Sequence, residues 1–490
     1  MARSGGRQKH RLTPLGVVIG GAAVAAGAGV AYLDSDRRHQ LERQARVWRL
    51  TARRAFHWGA LRVRGRNATE QERQALEARF AIKTAEDVAQ VLGGMKGAIM
   101  KAGQMMSFIA EGLPPEAQAA LATLQADVPP MAPSLAEKVV RDELGDEPRR
   151  LFLDWDPVPV AAASIGQVHR AVMPDGRIVA VKVQYPGVDR AIKSDLDNAE
   201  MMYGLFASFA LKNMDVKALV DELRARMADE LDYRLEARQQ AEFADIYRGH
   251  PFIHVPDVVG ERSSRRVLTS EWVDGLTWTE FLDRTSDDIK QKSAEVLFRF
   301  AQQSIHHHRV FNGDPHPGNY RFHPDGTVTF LDFGLVKRWS PGELETLTPV
   351  LDAILSRDAG ETMAAMERAG FIPRHAGFDA DYVYTYVSAP YQPFLDDHFT
   401  YTRKWVAEML GQMIDIQGRY GDLIRAFNMP ASYVILDRVF WGISALFGRV
   451  HASGNFRALL AEYREGAPPS TELGRIEERW RQERQPSPAK

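Results

Sequence analysis

The chain has 490 residues, a length that corresponds to roughly three domain-sized units. Its 45% hydrophobic and 26% charged residues are typical of a globular protein, and 62 basic residues against 64 acidic ones give no indication of nucleic-acid binding. The absence of cysteine excludes disulfides, thiolate metal sites and cysteine nucleophiles.

An uncharged run occupies the N-terminal part of the sequence. Residues 15–33 contain six alanines, five glycines and eight larger apolar residues, which is just long enough to cross a bilayer core. We predict an uncleaved membrane anchor within a basic leader, residues 1–34. A cleaved secretory signal and a disordered leader are the alternatives. The spacing Gly16-x-x-x-Gly20 lets two helices approach closely, so the run is compatible with a homodimer.

Residues 35–149 are predicted to form a helical N-terminal extension. The stretch 34–66 holds ten arginines with interleaved tryptophan and phenylalanine. Arginine beside interfacial aromatic residues favours contact with anionic lipid headgroups, although a solvated helix face has the same composition. Near the end of the extension, Ser134 is predicted to cap a helix that ends near Leu144.

From about residue 150 the apolar pattern alternates, which predicts a small β lobe over residues 150–275 with a helical insertion. The predicted strands are Val158–Val168, Arg177–Gln184 and Arg265–Val273, and the helical insertion is Asp189–Tyr247. Residues 276–465 are predicted to form a large helical lobe. The charged, proline-containing residues 466–490 are predicted to be a disordered tail.

Three polar side chains follow one another in a short order near the middle of the chain. Asp314 and Asn319 lie in D-P-H-P-G-N, and Asp332 begins D-F-G after a strand-like segment. This spacing is typical of a kinase-type phosphoryl-transfer site. We predict that Asn319 and Asp332 hold Mg²⁺, which prefers oxygen ligands, and that Asp314 orients or deprotonates the attacking group.

Lys182 lies in the β-branched segment V-A-V-K-V and is predicted to grip the nucleotide phosphates. Such a lysine is held by a carboxylate on a packed helix. Glu230, Asp232 and Glu236 in E-L-D-Y-R-L-E are the candidates, and all three are predicted to lie on one helix.

The predicted nucleotide-binding backbone has two further parts. The covering turn holds Ala161, Ala162, Ala163 and Ser164 at the place where a protein kinase has glycines. Because alanine narrows the conformations open to the backbone, the nucleotide contacts should differ from those of a protein kinase. In the hinge-like S-E-W-V, Glu271 and Val273 are predicted to offer backbone contacts to adenine.

The motifs together resemble one family. A-A-A-S-I-G-Q-V-H, V-A-V-K-V-Q-Y-P-G, E-L-D-Y-R-L-E-A, D-P-H-P-G-N and L-D-F-G are similar to the UbiB protein-kinase-like family, the aarF-domain proteins of ubiquinone biosynthesis. The resemblance implies an α+β, bilobal atypical protein-kinase-like fold with a helical N-terminal extension and a large helical C-lobe. The K-x-G-Q signature implies that Lys101 and Gln104 lie over the cleft, near Glu230 and Asp232.

The resemblance further implies that Glu236 is the partner of Lys182. One departure precedes Asp314, where the family often has His-Ala and this chain has Asn312-Gly313, so the polar contact of that histidine is expected to change. After D-F-G, only five residues precede Ser340, the predicted N-cap of the next helix. A peptide-docking segment is therefore predicted to be missing, and phosphorylation of proteins is not expected.

The sequence thus predicts an atypical kinase-like ATPase that binds Mg²⁺ and ATP and supports synthesis of ubiquinone, or of a related quinone or lipid, at a membrane. A small-molecule or lipid kinase and a nucleotide-dependent, non-enzymatic scaffold are the alternatives. The expected partners are anionic membrane lipid, a quinone precursor and proteins of quinone biosynthesis. Because the site needs ATP, the catalytic domain is expected on the cytoplasmic side of the membrane.

Overall fold

A computed structural model of the chain describes residues 131–163, 165–189, 230–415, 418–428 and 431–484. All of them lie in the second of the two units into which the chain divides, Met1–Val91 and Leu92–Lys490. The predicted anchor, the K-x-G-Q motif, Ser164 and most of the predicted helical insertion lie outside the described residues. Among the helices that are described, none combines the length and the apolarity of a membrane span.

The small lobe is a five-stranded antiparallel sheet with a helix packed against it. Its elements in chain order are α1 (Pro133–Leu144), α2 (Pro148–Leu151), β1 (Asp154–Trp155), β2 (Ala161–Ala163), β3 (Gly166–Val172), β4 (Ile178–Gln184), α3 (Tyr233–Ile246), β5 (Ile253–His254) and β6 (Val267–Glu271). The strands follow the order β1-β3-β4-β6, β2 pairs with β3, and β5 belongs to another sheet. In β4, Val179, Val181 and Val183 are buried in one apolar cluster with residues of α1. Because side chains alternate along a strand, Lys182 faces the opposite side.

The start of α1 differs from the prediction. The helix begins at Pro133 with Ala132 as its N-cap, so Ser134 lies inside the first turn and does not cap the helix. Proline suits the first helical position because its φ angle is preset and its missing N–H would have no partner within the helix. The helix ends at Leu144, as predicted, and Gly145 follows in the left-handed conformation with φ 87°.

The start of α3 corrects the prediction that three acids share one helix. Asp232 is the N-cap of α3, and its side chain accepts a hydrogen bond from the N–H of Arg234. Glu230 precedes this break, so only Glu236 lies on α3 itself. Aspartate favours an N-cap over a helix interior because its carboxylate can accept the backbone N–H groups that the first turn leaves free. The three acids are therefore carried by different backbone segments.

The large lobe is mainly helical, with short strands around the D-P-H-P-G-N and D-F-G segments, which are together called the catalytic loop. Its elements in chain order are α4 (Trp278–Arg284), α5 (Asp287–Gln303), β7 (Val310–Asn312), β8 (Tyr320–Phe322), β9 (Val328–Phe330), β10 (Val336–Arg338), α6 (Glu343–Leu355), α7 (Ala359–Arg368), α8 (Ala380–Ser388), β11 (Phe399–Thr400), α9 (Arg403–Ile414), α10 (Gly421–Ala426), α11 (Ala431–Val450), β12 (Ser453–Gly454), α12 (Phe456–Arg464) and α13 (Glu472–Arg484). β7 pairs with β10, β11 pairs with β12, and β9 lies between β5 and β8.

Helix α5 forms the centre of the large lobe and supports the strand that leads into D-F-G. Its buried side chains include Val296, Leu297 and Phe300. Phe300 stacks on Phe330 of β9 with ring centroids 3.7 Å apart. Since β9 ends two residues before Asp332, this apolar contact sets the position of the D-F-G segment.

The C-terminal segment is ordered over α13, contrary to the prediction of a disordered tail at residues 466–490. Glu477 of α13 is fully buried, and so is its partner Arg299 of α5. Arg299 Nη1 lies 3.2 Å from Glu477 Oε2 and 2.8 Å from Glu462 Oε2. A guanidinium group removed from water needs carboxylate partners, and α13 supplies one of them. Composition alone does not reveal this requirement.

A chain that ends at Glu465 should be markedly less stable than the full chain. The truncation removes Glu477 and leaves Arg299 with fewer carboxylates in a buried site, which costs on the order of 3 kcal/mol. Urea unfolding followed by circular dichroism measures the difference. A chain that ends at Arg484 is the control and should match the full chain. Equal stability of all three chains would contradict a packed C-terminal helix.

Candidate active site

A largely buried ion pair joins β4 to α3. Lys182 Nζ lies 2.8 Å from Glu236 Oε1 and 3.0 Å from Glu236 Oε2, so both carboxylate oxygens accept hydrogen bonds. The exposed fractions are 17% for the Lys182 side chain and 7% for the Glu236 side chain. The structure therefore brings together two residues that the sequence paired across 54 positions.

Asp332 contacts the same lysine. Its Oδ2 lies 3.3 Å from Lys182 Nζ, and its Oδ1 accepts a hydrogen bond from the N–H of Gly334 at 3.0 Å. Phe333 is fully buried and packs on Phe243 of α3, with ring centroids 4.8 Å apart. The D-F-G segment is thus held against the helix that also carries Glu236.

Negative charge exceeds positive charge around this lysine. Burial by itself would lower the pKa of Lys182, but the carboxylates of Asp332 and Glu236 raise it well above its ordinary value. Burial raises the pKa of Glu236 to about 7; Lys182 opposes that rise, and the charges of Asp332 and Glu230 add to it. The single ammonium group of Lys182 therefore lies among several carboxylates, and a bound divalent cation would neutralise the excess negative charge.

Asn319 lies beside Asp332 because β8 and β9 are paired. Its carbonyl oxygen accepts a hydrogen bond from the N–H of Leu331 at 2.9 Å, one residue before Asp332. Asn319 Nδ2 donates to Asp314 Oδ2 at 3.1 Å, so the amide nitrogen is turned toward Asp314. An amide oxygen and a carboxylate are hard oxygen donors, and this pair could hold Mg²⁺.

Asn312 links the two halves of the catalytic loop. Its Oδ1 accepts a hydrogen bond from the Asp314 N–H at 2.8 Å, and its Nδ2 donates to the Asp332 carbonyl at 2.6 Å. A polar contact is therefore retained at the position where the family often has histidine. Gly313 leaves no room for a side chain, since a methyl group there would lie 2.6 Å from Ile435 Cγ2.

Helix α11 supports the catalytic loop with an arginine that the sequence did not single out. Arg438 Nη2 donates to Asp314 Oδ1, and the exposed fractions of the two residues are 8% and 4%. Ile435 and Gly442 lie on the same helical face, and a methyl group on Gly442 would lie 2.2 Å from Pro315 Cγ. An arginine inside the apolar segment I-L-D-R-V-F-W was the available signal, because a buried guanidinium requires a partner.

The chain after D-F-G enters a strand at once. Val336 of β10 pairs with Asn312 of β7. Helix α6 begins at Glu343, and its N-cap is Gly342 with φ 87°. The prediction of Ser340 as the N-cap was wrong, because the left-handed turn at Gly342 separates Ser340 from the helix; the Ser340 N–H instead donates to Glu343 Oε2 at 2.7 Å. Residues 335–342 are the entire connection between D-F-G and α6.

The alanine-rich turn lies at the edge of the sheet. Ala161, Ala162 and Ala163 form β2, which pairs with β3 so that Ala163 is opposite Gly166. Gly166 is needed for packing, since a methyl group there would lie 2.2 Å from the carbonyl oxygen of Val183 in β4. Ala161 and Ala162 are exposed, so their side chains do not fill the sheet core.

Glu271 and Val273 lie at the end of β6, where the small lobe connects to the large one. The N–H of Glu271 donates to the carbonyl of Asp257 at 2.8 Å. A hydrogen bond with His254, whose Nε2 lies 3.3 Å from Glu271 Oε2, lowers the pKa of Glu271. In the part of the chain that the structure describes, the Val273 N–H has no backbone acceptor. Of these two amides, that of Val273 is the one open to a ligand.

Glu230 and Asp232 lie in different surroundings. Glu230 is beside the D-F-G glycine, since a methyl group on Gly334 would lie 3.4 Å from Glu230 Oε1. Asp232 forms hydrogen bonds with Arg234, at 2.9 Å to Nε and 2.8 Å to Nη2. Glu230 therefore borders the cleft, while Asp232 caps α3. The K-x-G-Q residues that were predicted to meet these acids lie outside the described residues.

Comparison with known proteins identifies the family to which this chain belongs. The sequence model of the ABC1 atypical kinase-like domain matches residues 123–366. An uncharacterised protein of Synechocystis is 32% identical, and the match covers 57% of this chain and 71% of that protein. The Arabidopsis thaliana protein ACTIVITY OF BC1 COMPLEX KINASE 3, chloroplastic, is 29% identical over 78% of this chain and 52% of that protein. The solved structure of the Rv3197–erythromycin complex from Mycobacterium tuberculosis is similar with a TM-score of 0.60 and 32% identity, covering 79% of this chain and 97% of that chain.

The chain belongs to the ABC1 atypical kinase-like family. This confirms the family resemblance and the α+β, kinase-like fold that the motifs predicted. The chain spans about half the length of the first curated relatives it matches, between 42% and 52% of each. Some of those relatives are named as kinases of the chloroplast.

The contact between Asp314 and Arg438 should appear as a coupling energy in a double-mutant cycle. Asp314→Asn and Arg438→Met each break a buried charge pair, so each should destabilise the protein, and the double variant should lose less than the sum. We expect a coupling of about 1–3 kcal/mol from urea unfolding. Arg449→Met, at an exposed position on the same helix, is the control and should show no coupling with Asp314→Asn. Additive effects of the first pair would show that the contact is not formed.

Proposed function

We propose that the protein binds Mg²⁺ and ATP in the cleft between β4 and the catalytic loop and transfers the terminal phosphoryl group to water. The observation that carries the proposal is the partly buried cluster in which Lys182 contacts both Glu236 and Asp332. A lysine held by a helix carboxylate beside a D-F-G aspartate is the arrangement that kinase-type sites use to hold nucleotide phosphates. Membership of a kinase-like family supports the same chemistry.

In this proposal each residue of the site has a separate role. Lys182, positioned by Glu236, binds the phosphates, and Asp332 with Asn319 holds the metal. Bound Mg²⁺ would supply charge neutralisation on the phosphate oxygens. Glu271 and Val273 would contact adenine through their backbone, for which the open N–H of Val273 is suited.

Asp314 would orient the attacking hydroxyl or water. Its carboxylate contacts the guanidinium of Arg438 on one oxygen and the amide of Asn319 on the other. Both contacts stabilise the ionised form and fix the direction of the oxygens, which suits a group that positions a nucleophile. Arg438 acts through Asp314 and is a positioning residue.

A small-molecule or lipid kinase is the second candidate. The connection from D-F-G to α6 spans only residues 335–342, and β10 is paired directly with β7. This arrangement offers little backbone on which a peptide could lie, whereas a small alcohol needs no such platform. A nucleotide-dependent scaffold without turnover remains the third candidate.

We further propose that the activity supports synthesis of ubiquinone, or of a related quinone or lipid, at the cytoplasmic face of a membrane. The resemblance of the motifs to the UbiB family supports this, as does the arginine-rich stretch 34–66 that follows the apolar run 15–33. Anionic lipid, a quinone precursor and proteins of quinone biosynthesis would be the partners. Anionic liposomes together with a phenolic quinone precursor should therefore stimulate ATP turnover by the full chain.

Substitution of Asp332 and of Asp314 should separate binding from turnover. Asp332→Asn removes a metal-binding carboxylate, so Mg²⁺-dependent ATP binding measured by calorimetry should be lost. Asp314→Asn should keep that binding and lower turnover by roughly 10²–10⁴-fold, the usual contribution of a positioned acid or base. Asp325→Asn, in the exposed turn between β8 and β9, is the matched control and should change neither.

Retained Mg²⁺-dependent ATP binding in Asp332→Asn would overturn the site assignment. Transfer of label from γ-labelled ATP to a lipid or a quinone precursor, lost in Asp314→Asn, would favour the kinase over simple hydrolysis. A strain that carries Asp314→Asn and keeps normal quinone levels would favour the scaffold. Free phosphate as the sole labelled product supports the ATPase.

A further inference from the structure

The large lobe contains a cavity that the proposed nucleotide site does not use. Its volume is about 540 Å³, within the range of pockets that hold small organic molecules. The wall is mostly apolar and includes the aromatic rings of Tyr386, Tyr391, Phe440 and Trp441. The cavity therefore has the size and the surface of a ligand site.

Helix α11 contributes one face to this cavity and the other face to the catalytic loop. Asp437, Phe440, Trp441 and Ser444 follow one another at helical spacing and all line the cavity. Arg438 is next to Asp437 in sequence but contacts Asp314 in the catalytic loop. Because adjacent residues of a helix point in different directions, Asp437 faces the cavity and Arg438 faces the catalytic loop.

Asp437 places a negative charge in the apolar wall. Its Oδ1 accepts a hydrogen bond from Trp441 Nε1 at 3.1 Å. Burial raises the pKa of Asp437 to about 6, and that hydrogen bond opposes the rise. Among the described residues, no lysine or arginine forms an ion pair with this carboxylate, and its hydrogen-bond donor is the Trp441 indole. The Asp437 side chain is exposed to solvent and borders the cavity, so a ligand in the cavity can reach its carboxylate.

The other titratable groups around the cavity do not provide a counter-charge. Arg464 of α12 is paired with Asp352 of α6. Burial lowers the pKa of His306 to about 4, so its imidazole is neutral at physiological pH. Burial, with the charge of Asp437, raises the pKa of Tyr391 to about 12 and that of Tyr386 as well. At neutral pH the carboxylate thus lies among neutral rings.

We propose that this cavity binds a lipophilic amine, an apolar molecule that carries one protonated nitrogen. The nitrogen would pair with the carboxylate of Asp437, and the neighbouring aromatic faces would stabilise the same positive charge. The apolar body of the ligand would fill the rest of the cavity. A neutral apolar molecule would displace water from the carboxylate without replacing its interactions, which is unfavourable. The proposal does not depend on nucleotide binding.

Calorimetry with the full-length protein and two matched probes tests this site. The probes are 4-phenylbutylamine and 4-phenylbutanol, which share one apolar body and differ in the charged group. We expect the amine to bind roughly tenfold more tightly than the alcohol at pH 7.5. The preference should disappear in Asp437→Asn, which keeps an oxygen to accept from Trp441. Glu408→Gln, an exposed change of the same charge on α9, is the control and should keep the preference.

A second measurement needs no substitution. The preference of the unmodified protein for the amine should shrink as the pH falls below about 6, because Asp437 becomes protonated while His306 stays neutral until about pH 4. Equal binding of both probes at pH 7.5 would overturn the proposal. A preference for the amine that survives in Asp437→Asn would also overturn it. The same holds if neither probe binds.

Discussion

The rest of the structure depends on the burial of one ammonium group among carboxylates. Lys182 projects from the face of β4 opposite its buried valines, and Glu236 and Asp332 both lie within 3.3 Å of its Nζ. A charge taken out of water is stable only with such partners, so three separate elements must meet at this point. The strand carries the lysine, α3 carries Glu236, and the segment after β9 carries Asp332. This requirement sets the small sheet, the helix and the catalytic loop in one arrangement.

The second organising element is helix α11, because two of its faces contact different sites. One face packs so closely on the catalytic loop that glycine is required at Gly313 and Gly442. On that face Arg438 meets Asp314, and both are buried. The other face lines the cavity of the large lobe with aromatic residues and Asp437. A ligand in the cavity would therefore contact the helix whose opposite face holds Asp314 through Arg438.

Several predictions failed because a neighbouring residue or a distant partner overrode the local pattern. Ser134 and Ser340 have the sequence context of helix caps, but a proline and a left-handed glycine moved the helix starts. The final residues have the composition of a disordered tail, yet the buried charge of Arg299 holds Glu477 in place across 178 positions. Composition describes the average behaviour of a segment. It does not reveal that one glutamate in it completes a buried ion network.

The sequence by itself determined the family, the kinase-like fold and the identity of the clustered polar residues. Asp314, Asn319 and Asp332 lie in short motifs whose spacing follows from local backbone geometry, and Lys182 follows from strand alternation. Only the tertiary structure decided which helix backs the catalytic loop and which acid caps α3. Arg438 meets Asp314 across 124 positions, and no periodicity in the chain encodes that distance. Such contacts arise because buried charges must find partners among whatever elements the packed core brings near them.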